Sequence, residues 1–211
     1  NDLTTTIGSS NDRVKCRLDV FNSVDLSWQF QVFSGAYRNL CRNTLVFGGF
    51  KTYQQKARHT KNLDPIAMLG KATYSLENWN ENKELMNTWR NCRITDQDYL
   101  NLVSNSTLGT VANTKSQIAL GGSERIVNRS LLDYLFQVYK KETEGRGTLW
   151  SAYNSFTHWS THTNESYRND EGHLRHTGTK NAKTHVVQNK RNDLVRSLLN
   201  SDQWKALEMV A

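Results

Sequence analysis

The spacing His158-x-x-x-His162-x-x-Glu165 is the arrangement in this sequence that most suggests catalysis. Side chains four and seven residues apart share one face of a helix, so these three could converge on zinc or another metal. A helix over this stretch would bury five apolar residues: Leu149, Ala152, Tyr153, Phe156 and Trp159. Asn154 and the histidines would then lie on the opposite side, where a plain solvated helix would also place them. No H-E-x-x-H motif supports the metal, so a metal-dependent enzyme is the weakest of three hypotheses and no cofactor is predicted.

Other catalytic signatures are missing from the sequence. It holds no G-x-S-x-G, Walker loop or dinucleotide fingerprint. Asp96 and Asp98 are explained most simply as caps of the helix that begins there. Cys16, Cys41 and Cys92 are far apart and lack C-x-x-C spacing, which is typical of reduced thiols in a cytoplasmic protein. The sequence therefore favours a protein that is not an enzyme.

Cations beside an aromatic residue suggest a different chemistry. The apolar spacing of residues 25–42 predicts a helix, and Trp28, Arg38 and Arg42 would share its polar face. Two guanidiniums four residues apart could grip adjacent phosphates, and an indole offers a platform on which a base can stack. The alternative is that Trp28 packs under a neighbouring loop and the arginines are solvated.

Further cations extend this candidate nucleic-acid site. Arg58 and His59 close a predicted strand near the two arginines and could add a third contact. Residues 165–185 are basic and almost free of apolar side chains, which predicts a flexible arm. The candidate contacts in this arm and in the helix after it are Arg168, Arg175, Lys180, Lys183, Lys190 and Arg191. A merely solvated segment would have the same composition.

The N-terminal third must position the first of these residues, and its pattern predicts strand, helix and hairpin. Residues 13–21 alternate at period two, as a strand with one buried face does. Its inward positions are Val14, Cys16, Leu18 and Val20, and its outward positions are Arg13, Lys15 and Arg17. After the helix at 25–42, residues 44–47 and 52–58 predict two strands joined through Gly48-Gly49.

The remaining two thirds are predicted to be mostly helical. The expected helices are 65–90, 95–105, 123–142, 148–164 and 186–209, with a loop at 106–122. The fold class is therefore α+β, a small N-terminal antiparallel sheet with a packed helix followed by a helical part. We expect one domain over 1–211, divided into a sheet-containing part at 1–64, a helical part at 65–164, the arm at 165–185 and a C-terminal helix at 186–211.

The charge balance favours a polyanionic partner. The 27 Lys and Arg residues exceed the 20 Asp and Glu residues by seven, and neutralising phosphates with cations releases counterions. No apolar run approaches the roughly 20 residues of a membrane span, and residues 1–10 do not resemble a signal peptide. We expect no membrane partner. Because the first residue is not Met, we expect a processed chain, a fragment or part of something longer.

Four segments resemble one known family in their order along the chain. They are NSVD at 22–25, SGAYRNLCRNTLVFG at 34–48, RHT at 58–60 and GTLWSAYNSFTH at 147–158. They are similar to the phage/plasmid-like family described as domain of unknown function 932. The resemblance implies a role in replication, recombination or host takeover. The chain departs from the family pattern at Thr44, where Gly is frequent, and near His158, where an acidic residue is frequent.

Three functions follow as hypotheses. The first is a phage-type nucleic-acid-binding protein that binds or anneals single-stranded DNA, as a homo-oligomer or with a phage or host replication protein. Its strand, helix and hairpin order is similar in outline to single-strand-annealing proteins. The second is an interaction protein that modulates a host or phage enzyme through exposed Trp79, Trp89 and Trp204. The third is the metal-dependent enzyme.

Overall fold

The computed structural model describes ten segments of the chain: 4–6, 13–22, 29–38, 53–73, 77–112, 123–143, 147–161, 167–168, 174–175 and 182–209. The chain divides into two compact units, residues 1–87 and 88–211. An antiparallel sheet dominates the described part of the first unit, and helices dominate that of the second. The predicted α+β class is therefore confirmed. The single domain over 1–211 stays a prediction.

The first unit contains a four-stranded antiparallel sheet in which neighbouring strands follow chain order. Its strands are β1 Thr4–Thr6, β2 Arg13–Phe21, β3 Phe30–Arg38 and β4 Tyr53–Ala57. The predicted strands at 13–21 and 52–58 are confirmed. The predicted strand at 44–47 lies outside the described residues.

The predicted helix at 25–42 is wrong over residues 30–38, which form β3. The apolar residues Phe30, Phe33 and Tyr37 fit a helical spacing, but Phe30 and Val32 also fit an alternating one. Pairing decides between the two, because β3 lies between β2 and β4 and forms hydrogen-bonded ladders with both. The order strand, helix, hairpin is therefore corrected to consecutive antiparallel strands.

The helix that packs on this sheet follows β4 instead. Helix α1, Pro65–Ala72, begins after Asp64, whose Oδ1 accepts a hydrogen bond from the Ala67 amide at 2.9 Å. Its Met68 and Ala72 form a buried cluster with Phe30 and Val32 of β3. Helix α2 spans Trp79–Asn91, so the continuous helix predicted at 65–90 is two helices.

The inward face of β2 is only partly as predicted. Val14 is buried, Cys16 is half-buried, and Leu18 and Val20 are exposed by 39% and 46%. The alternation along β2 correctly predicts a strand. It does not predict how far the covering layer reaches.

The second unit is built from five helices among its described residues. They are α3 Asp96–Ser104, α4 Arg129–Glu142, α5 Leu149–Thr161, α6 Ala182–Leu199 and α7 Asp202–Met209. Two small antiparallel pairs accompany them: β5 Thr110–Ala112 with β6 Arg125–Val127, and β7 Tyr167–Arg168 with β8 Leu174–Arg175.

Three predicted boundaries in this unit change. The helix predicted at 123–142 begins only at Arg129, because residues 125–127 pair with 110–112 inside the predicted loop. The helix predicted at 186–209 is interrupted at residues 200 and 201, and its first part already begins at Ala182, within the predicted arm. The helices predicted at 95–105 and 148–164 correspond to α3 and α5.

Helix α5 is buried on nearly all sides, so the solvated face expected at Asn154 is wrong. Asn154 is only 2% exposed, and its Nδ2 donates to the Trp150 carbonyl at 2.8 Å. Ser155 donates likewise to the Ala152 carbonyl at 2.7 Å. Polar side chains that bond to their own helix can be buried without leaving unpaired groups. The hydrophobic pattern of α5 therefore understates its burial.

Aromatic rings form the core around α5. The ring of Tyr99 on α3 stacks on Tyr139 of α4 at 4.0 Å and on Phe156 of α5 at 5.7 Å between centroids. The Tyr99 hydroxyl donates to the Leu135 carbonyl at 3.0 Å and lies 2.8 Å from Ser155 Oγ. These contacts join three helices.

This core predicts a loss of stability at alkaline pH. Burial raises the pKa of Tyr139 to about 12, and the negative charges of Asp96 and Asp98 add to the effect. Tyrosine in the unfolded chain titrates near pH 10. The folded state therefore keeps a proton that the unfolded state loses, so this stabilisation is complete below about pH 10 and disappears as the pH rises toward about 12. Urea unfolding across this range should show a shallower decline for Tyr139→Phe than for the wild type. Equal slopes would contradict the assignment.

Candidate nucleic-acid interface

The sheet face opposite α1, here named the distal face, is the most cationic surface that the register defines in the first unit. Val32 belongs to the buried cluster under α1 and pairs with Val20 of β2. Paired residues share a face, so the β2 residues that alternate with Val20 lie on the other side of the sheet. The distal face carries Lys15, Asp19 and Phe21 on β2, Gln31 on β3 and Lys56 on β4. Arg13 and Arg17 occupy the matching register positions of β2.

The described side chains on this face differ in exposure. Lys15 is exposed and Phe21 is 46% exposed, whereas Asp19 and Lys56 are half-buried. Among the described side chains, Lys15 forms no ion pair with a carboxylate. The distal face thus has four basic positions and one acidic position. The ammonium group of Lys15 is exposed and can contact a ligand.

One row across the sheet combines three chemical types. Phe21 pairs with Gln31, and Gln31 pairs with Lys56 on its other side. Neighbouring strands lie about 4.8 Å apart, so the row spans about 10 Å. Arg58 is exposed and follows Lys56 by two residues. An aromatic ring and cations therefore lie on either side of a buried amide, within the width of one nucleotide or two.

The predicted partnership of Arg38 with Arg58 is wrong. Arg38 ends β3 opposite Val14, whereas Ala57, next to Arg58, pairs with Phe30 at the other end. Eight strand residues separate these ends by about 26 Å. The four-residue helical spacing proposed for Arg38 and Arg42 is lost as well, because Arg38 is in a strand.

Other predicted contacts in the first unit can be placed only in part. His59 is half-buried and directly follows Arg58. Trp28 and Arg42 lie outside the described residues. Arg58 directly follows the last residue of β4, two residues after Lys56 of the distal row.

Comparison with known families gives a match over most of the chain. The model described as Domain of unknown function (DUF932) matches residues 1–199. The chain belongs to this family. The resemblance inferred from its four motifs is confirmed, and the whole sheet lies inside the DUF932 range. Comparisons with curated proteins and with solved structures found no significant match.

The cations predicted late in the DUF932 range have mixed positions. Arg168 lies in β7, Arg175 in β8 and Lys183 in α6, while Lys190 is exposed on α6. Lys180 lies outside the described residues. Among these residues, only the side chain of Lys190 is described.

Arg191 has a structural role. One of its Nη atoms donates to the Trp159 carbonyl at 2.7 Å, and its guanidinium lies 4.8 Å from the centre of the Trp159 ring. A cation at the end of α5 also interacts favourably with the helix dipole. We therefore leave Arg191 out of the interface.

Of the three predicted metal ligands, only His158 lies within the described residues. His158 is half-buried, and its Nδ1 lies 3.2 Å from the Tyr134 hydroxyl. His162 and Glu165 lie outside the described residues. Across the ranges that the structure describes, no three His, Cys, Asp or Glu side chains are placed to hold a metal.

The three tryptophans expected to be exposed are buried, which corrects the second hypothesis. Trp79 is 2% exposed, and Trp89 and Trp204 are fully buried. The indole N–H groups of Trp89 and Trp204 both donate to the Glu208 carboxylate. Trp79 and Trp89 lie on helix α2, whose residues are mostly polar, and this composition is typical of an exposed helix. These tryptophans stabilise the fold and are closed to a partner.

An open groove of about 310 Å³ lies between α3 and α7 of the second unit. It is lined by Asp98, Asn101, Leu102, Gln203, Ala206 and Leu207. Hydrogen bonds from Thr95 lower the pKa of Asp98, so its carboxylate stays charged. A groove with an anion and no lining cation does not suit a phosphate.

In the part of the chain that the structure describes, no helix has the length and apolar character to cross a membrane.

Proposed function

We propose that this chain binds nucleic acid through the distal face of its N-terminal sheet, and that the ligand is single-stranded DNA bound during phage-type replication or recombination. The observation that carries the proposal is the exposed Lys15 on the same sheet face as Lys56 and the exposed Phe21. The description of the family names no activity, so the support comes from these residues.

Charge supports the phosphate part of the proposal. Four basic positions, Arg13, Lys15, Arg17 and Lys56, share the distal face with one acid, Asp19. Alternate strand residues are about 6.6 Å apart, close to the phosphate spacing of an extended single strand. Cations at this spacing can each neutralise a phosphate and release a counterion.

The exposed aromatic ring supports a single strand over a duplex. Bases inside a duplex are stacked on one another, so their faces are closed to a protein ring. An unpaired base can stack on Phe21, which lies at the end of the basic positions of β2. Annealing and oligomer formation are further parts of the proposal that depend on this binding.

Charge reversal at Lys15 tests the proposal. We expect Lys15→Glu to weaken binding to a fluorescent single-stranded oligonucleotide about tenfold at about 50 mM salt, and to lower the slope of log affinity against log salt by about one. Lys71→Glu is the matched control, because Lys71 is exposed on α1, on the other side of the sheet, and the change in net charge is equal.

The two variants separate local contact from overall charge. Equal losses for both variants would mean that net charge alone attracts the ligand and that the distal face is not the site. A wild-type protein that binds no oligonucleotide at about 50 mM salt would remove nucleic acid as the ligand.

An interaction protein without nucleic acid remains a second candidate, on different residues from those first expected. The β5–β6 pair exposes Val111, Ile126 and Val127 by 38% to 45%. Adjacent exposed apolar side chains on a small hairpin are typical of a protein-binding surface. A stoichiometric partner that survives nuclease treatment and competes with no oligonucleotide would favour this second function.

A further inference from the structure

The β5–β6 hairpin of the second unit is exposed on both faces. Thr110 is half-buried, and the other residues of the two strands are exposed. Val111 pairs with Ile126, so these two apolar side chains lie side by side on one face. A two-stranded hairpin that packs neither face is only marginally stable in water, and its open edges invite pairing with a further strand. The two edges of this hairpin differ in whether they can accept one.

The edge of β5 is blocked by Arg125 of the same chain. One Nη atom of Arg125 donates to the Thr110 carbonyl at 2.8 Å and to the Thr107 carbonyl at 3.3 Å. Its Nε donates to the Thr110 hydroxyl at 2.8 Å. A guanidinium that occupies the carbonyl oxygens of an edge strand prevents another strand from using them. Pairing with a further strand is therefore directed to β6.

The edge of β6 is open. The Asn128 amide donates to the Gly109 carbonyl at 2.8 Å, and antiparallel pairs alternate, so Ile126 also bonds toward β5. The N–H and C=O groups of Arg125 and Val127 then point away from β5. Among the described residues, these outward groups have no hydrogen-bond partner. The sequence Arg-Ile-Val of β6 thus presents an unprotected strand edge with a high β propensity.

We infer that a second copy of this chain pairs with the β6 edge, antiparallel and around a two-fold axis at Ile126. A strand that meets its own copy across a two-fold axis normal to the strand is necessarily antiparallel to it. In this register each Arg125 faces Val127 of the second copy, and both residues exchange their N–H···O bonds. An axis at Arg125 or at Val127 would leave only one such pair within β6. The register at Ile126 therefore satisfies the most backbone groups.

The same register brings the exposed apolar side chains together. Ile126 meets Ile126 of the second copy at the close, non-hydrogen-bonded position, and Val111 of each copy extends the apolar row on either side. Pairing of such short strands buries less than the roughly 1,000 Å² of a stable interface, so the dimer should be weak and concentration-dependent. Because Arg125 blocks the β5 edges, assembly should stop at two copies.

Sedimentation velocity without oligonucleotide tests the inference. Between about 5 μM and about 300 μM, we expect the wild type to change from monomer to dimer. Val127→Pro removes an outward N–H and should weaken the dimer at least about tenfold, since proline is tolerated at a strand edge but cannot donate there. Ala112→Pro is the matched control, because Ala112 pairs with Arg125 and its outward N–H lies on the blocked β5 edge. Thermal unfolding of both variants shows that the fold is kept.

A cysteine at the two-fold axis tests the register without changing the backbone. The Cα atoms of a non-hydrogen-bonded antiparallel pair are about 4.5 Å apart, within the range of a disulfide. Under mild oxidation Ile126→Cys should therefore give a covalent dimer, linked through residue 126 in peptide mass spectrometry. Val111→Cys is the control, because the two copies of Val111 would lie three strand spacings apart, about 14 Å, which is too far for a disulfide.

Three results would overturn the inference. They are a wild type that stays monomeric at every concentration, equal dimerisation of the Val127→Pro and Ala112→Pro variants, and no link through residue 126. A monomeric wild type would leave the hairpin to a different protein.

The inference goes beyond the proposed function, because this pairing needs no nucleic acid. Salt separates the two. It screens the repulsion between two chains of net charge +7 and should leave the dimer unchanged or stronger, whereas it weakens binding to phosphates. Failure of one therefore leaves the other standing.

Discussion

Trp204→Ala is expected to lower the free energy of unfolding by about 4 kcal/mol and the Tm by roughly 10 °C. Trp204 is fully buried on α7. Its ring meets Trp89 edge to face at 5.2 Å and Phe156 at 6.3 Å between centroids. Truncation removes a large apolar volume from between α2 and α5, and a cavity of this size cannot close without moving helices.

The hydrogen bond of Trp204 can be separated from its packing. Its indole N–H donates to Glu208 Oε1 at 2.9 Å, and the Trp89 indole donates to the same oxygen. Trp204→Phe keeps an aromatic ring and loses this donor, so we expect a smaller loss of about 1 to 2 kcal/mol. Met209→Ala is the control on the same helix, because Met209 is 84% exposed and its truncation should change stability by less than about 0.5 kcal/mol.

The result bears on how far the folded unit extends. Helix α7 lies beyond residue 199, where the family match ends, although Trp204 completes the aromatic core. Chemical denaturation of the three variants measures the contribution of α7 directly. A Trp204→Ala protein as stable as Met209→Ala would show that α7 is not part of the core.

Local signals in the sequence predict several elements well. The alternation over 13–21 coincides with β2, because every other side chain of a half-buried strand must be apolar or polar in turn. The helix expected from residue 95 begins with a complete capping box, in which Thr95 and Asp98 exchange hydrogen bonds. The alternation and the capping box are both local, because each involves only residues within or directly next to the element it predicts.

Residues 30–38 show why other elements are not predictable in this way. Their apolar spacing fits a helix as well as a strand, and pairing with two other segments of the chain, β2 and β4, decides the outcome. The burial of Trp89 depends in the same way on Trp204 and Tyr153, which lie far along the chain. No pattern within one segment reports such a partner.

In the candidate site, too, some residues are predictable from local sequence and others are not. Lys15 was predicted as an outward cation of a strand, which local alternation suffices to show. Gln31 carries no sequence signal, because a single glutamine is ordinary in a strand. Its place between Phe21 and Lys56 follows only from the register of three strands.

Gly147→Ala is expected to lower the free energy of unfolding by about 3 kcal/mol. A Cβ at this position would overlap the Tyr139 hydroxyl and lie 2.7 Å from the Ile94 carbonyl oxygen. The backbone cannot move away easily, because the Gly147 carbonyl accepts from the Ile94 amide at 3.2 Å and the Leu149 amide donates to Cys92 at 3.0 Å. Gly70→Ala is the control: a Cβ there meets nothing within 4 Å, and alanine in a helix interior should add up to about 1 kcal/mol.

Combining Gly147→Ala with Tyr139→Phe tests the cause of that loss. The Tyr139 hydroxyl is buried without a hydrogen-bond partner, so removing it should cost little at neutral pH. It is also the atom that the new methyl group overlaps, so the double variant should be more stable than the sum of the single changes by about 1 kcal/mol or more. Recovery should be incomplete because the Ile94 carbonyl belongs to the backbone and stays in place. Strict additivity in urea unfolding would instead locate the damage in the conformation of residue 147 itself.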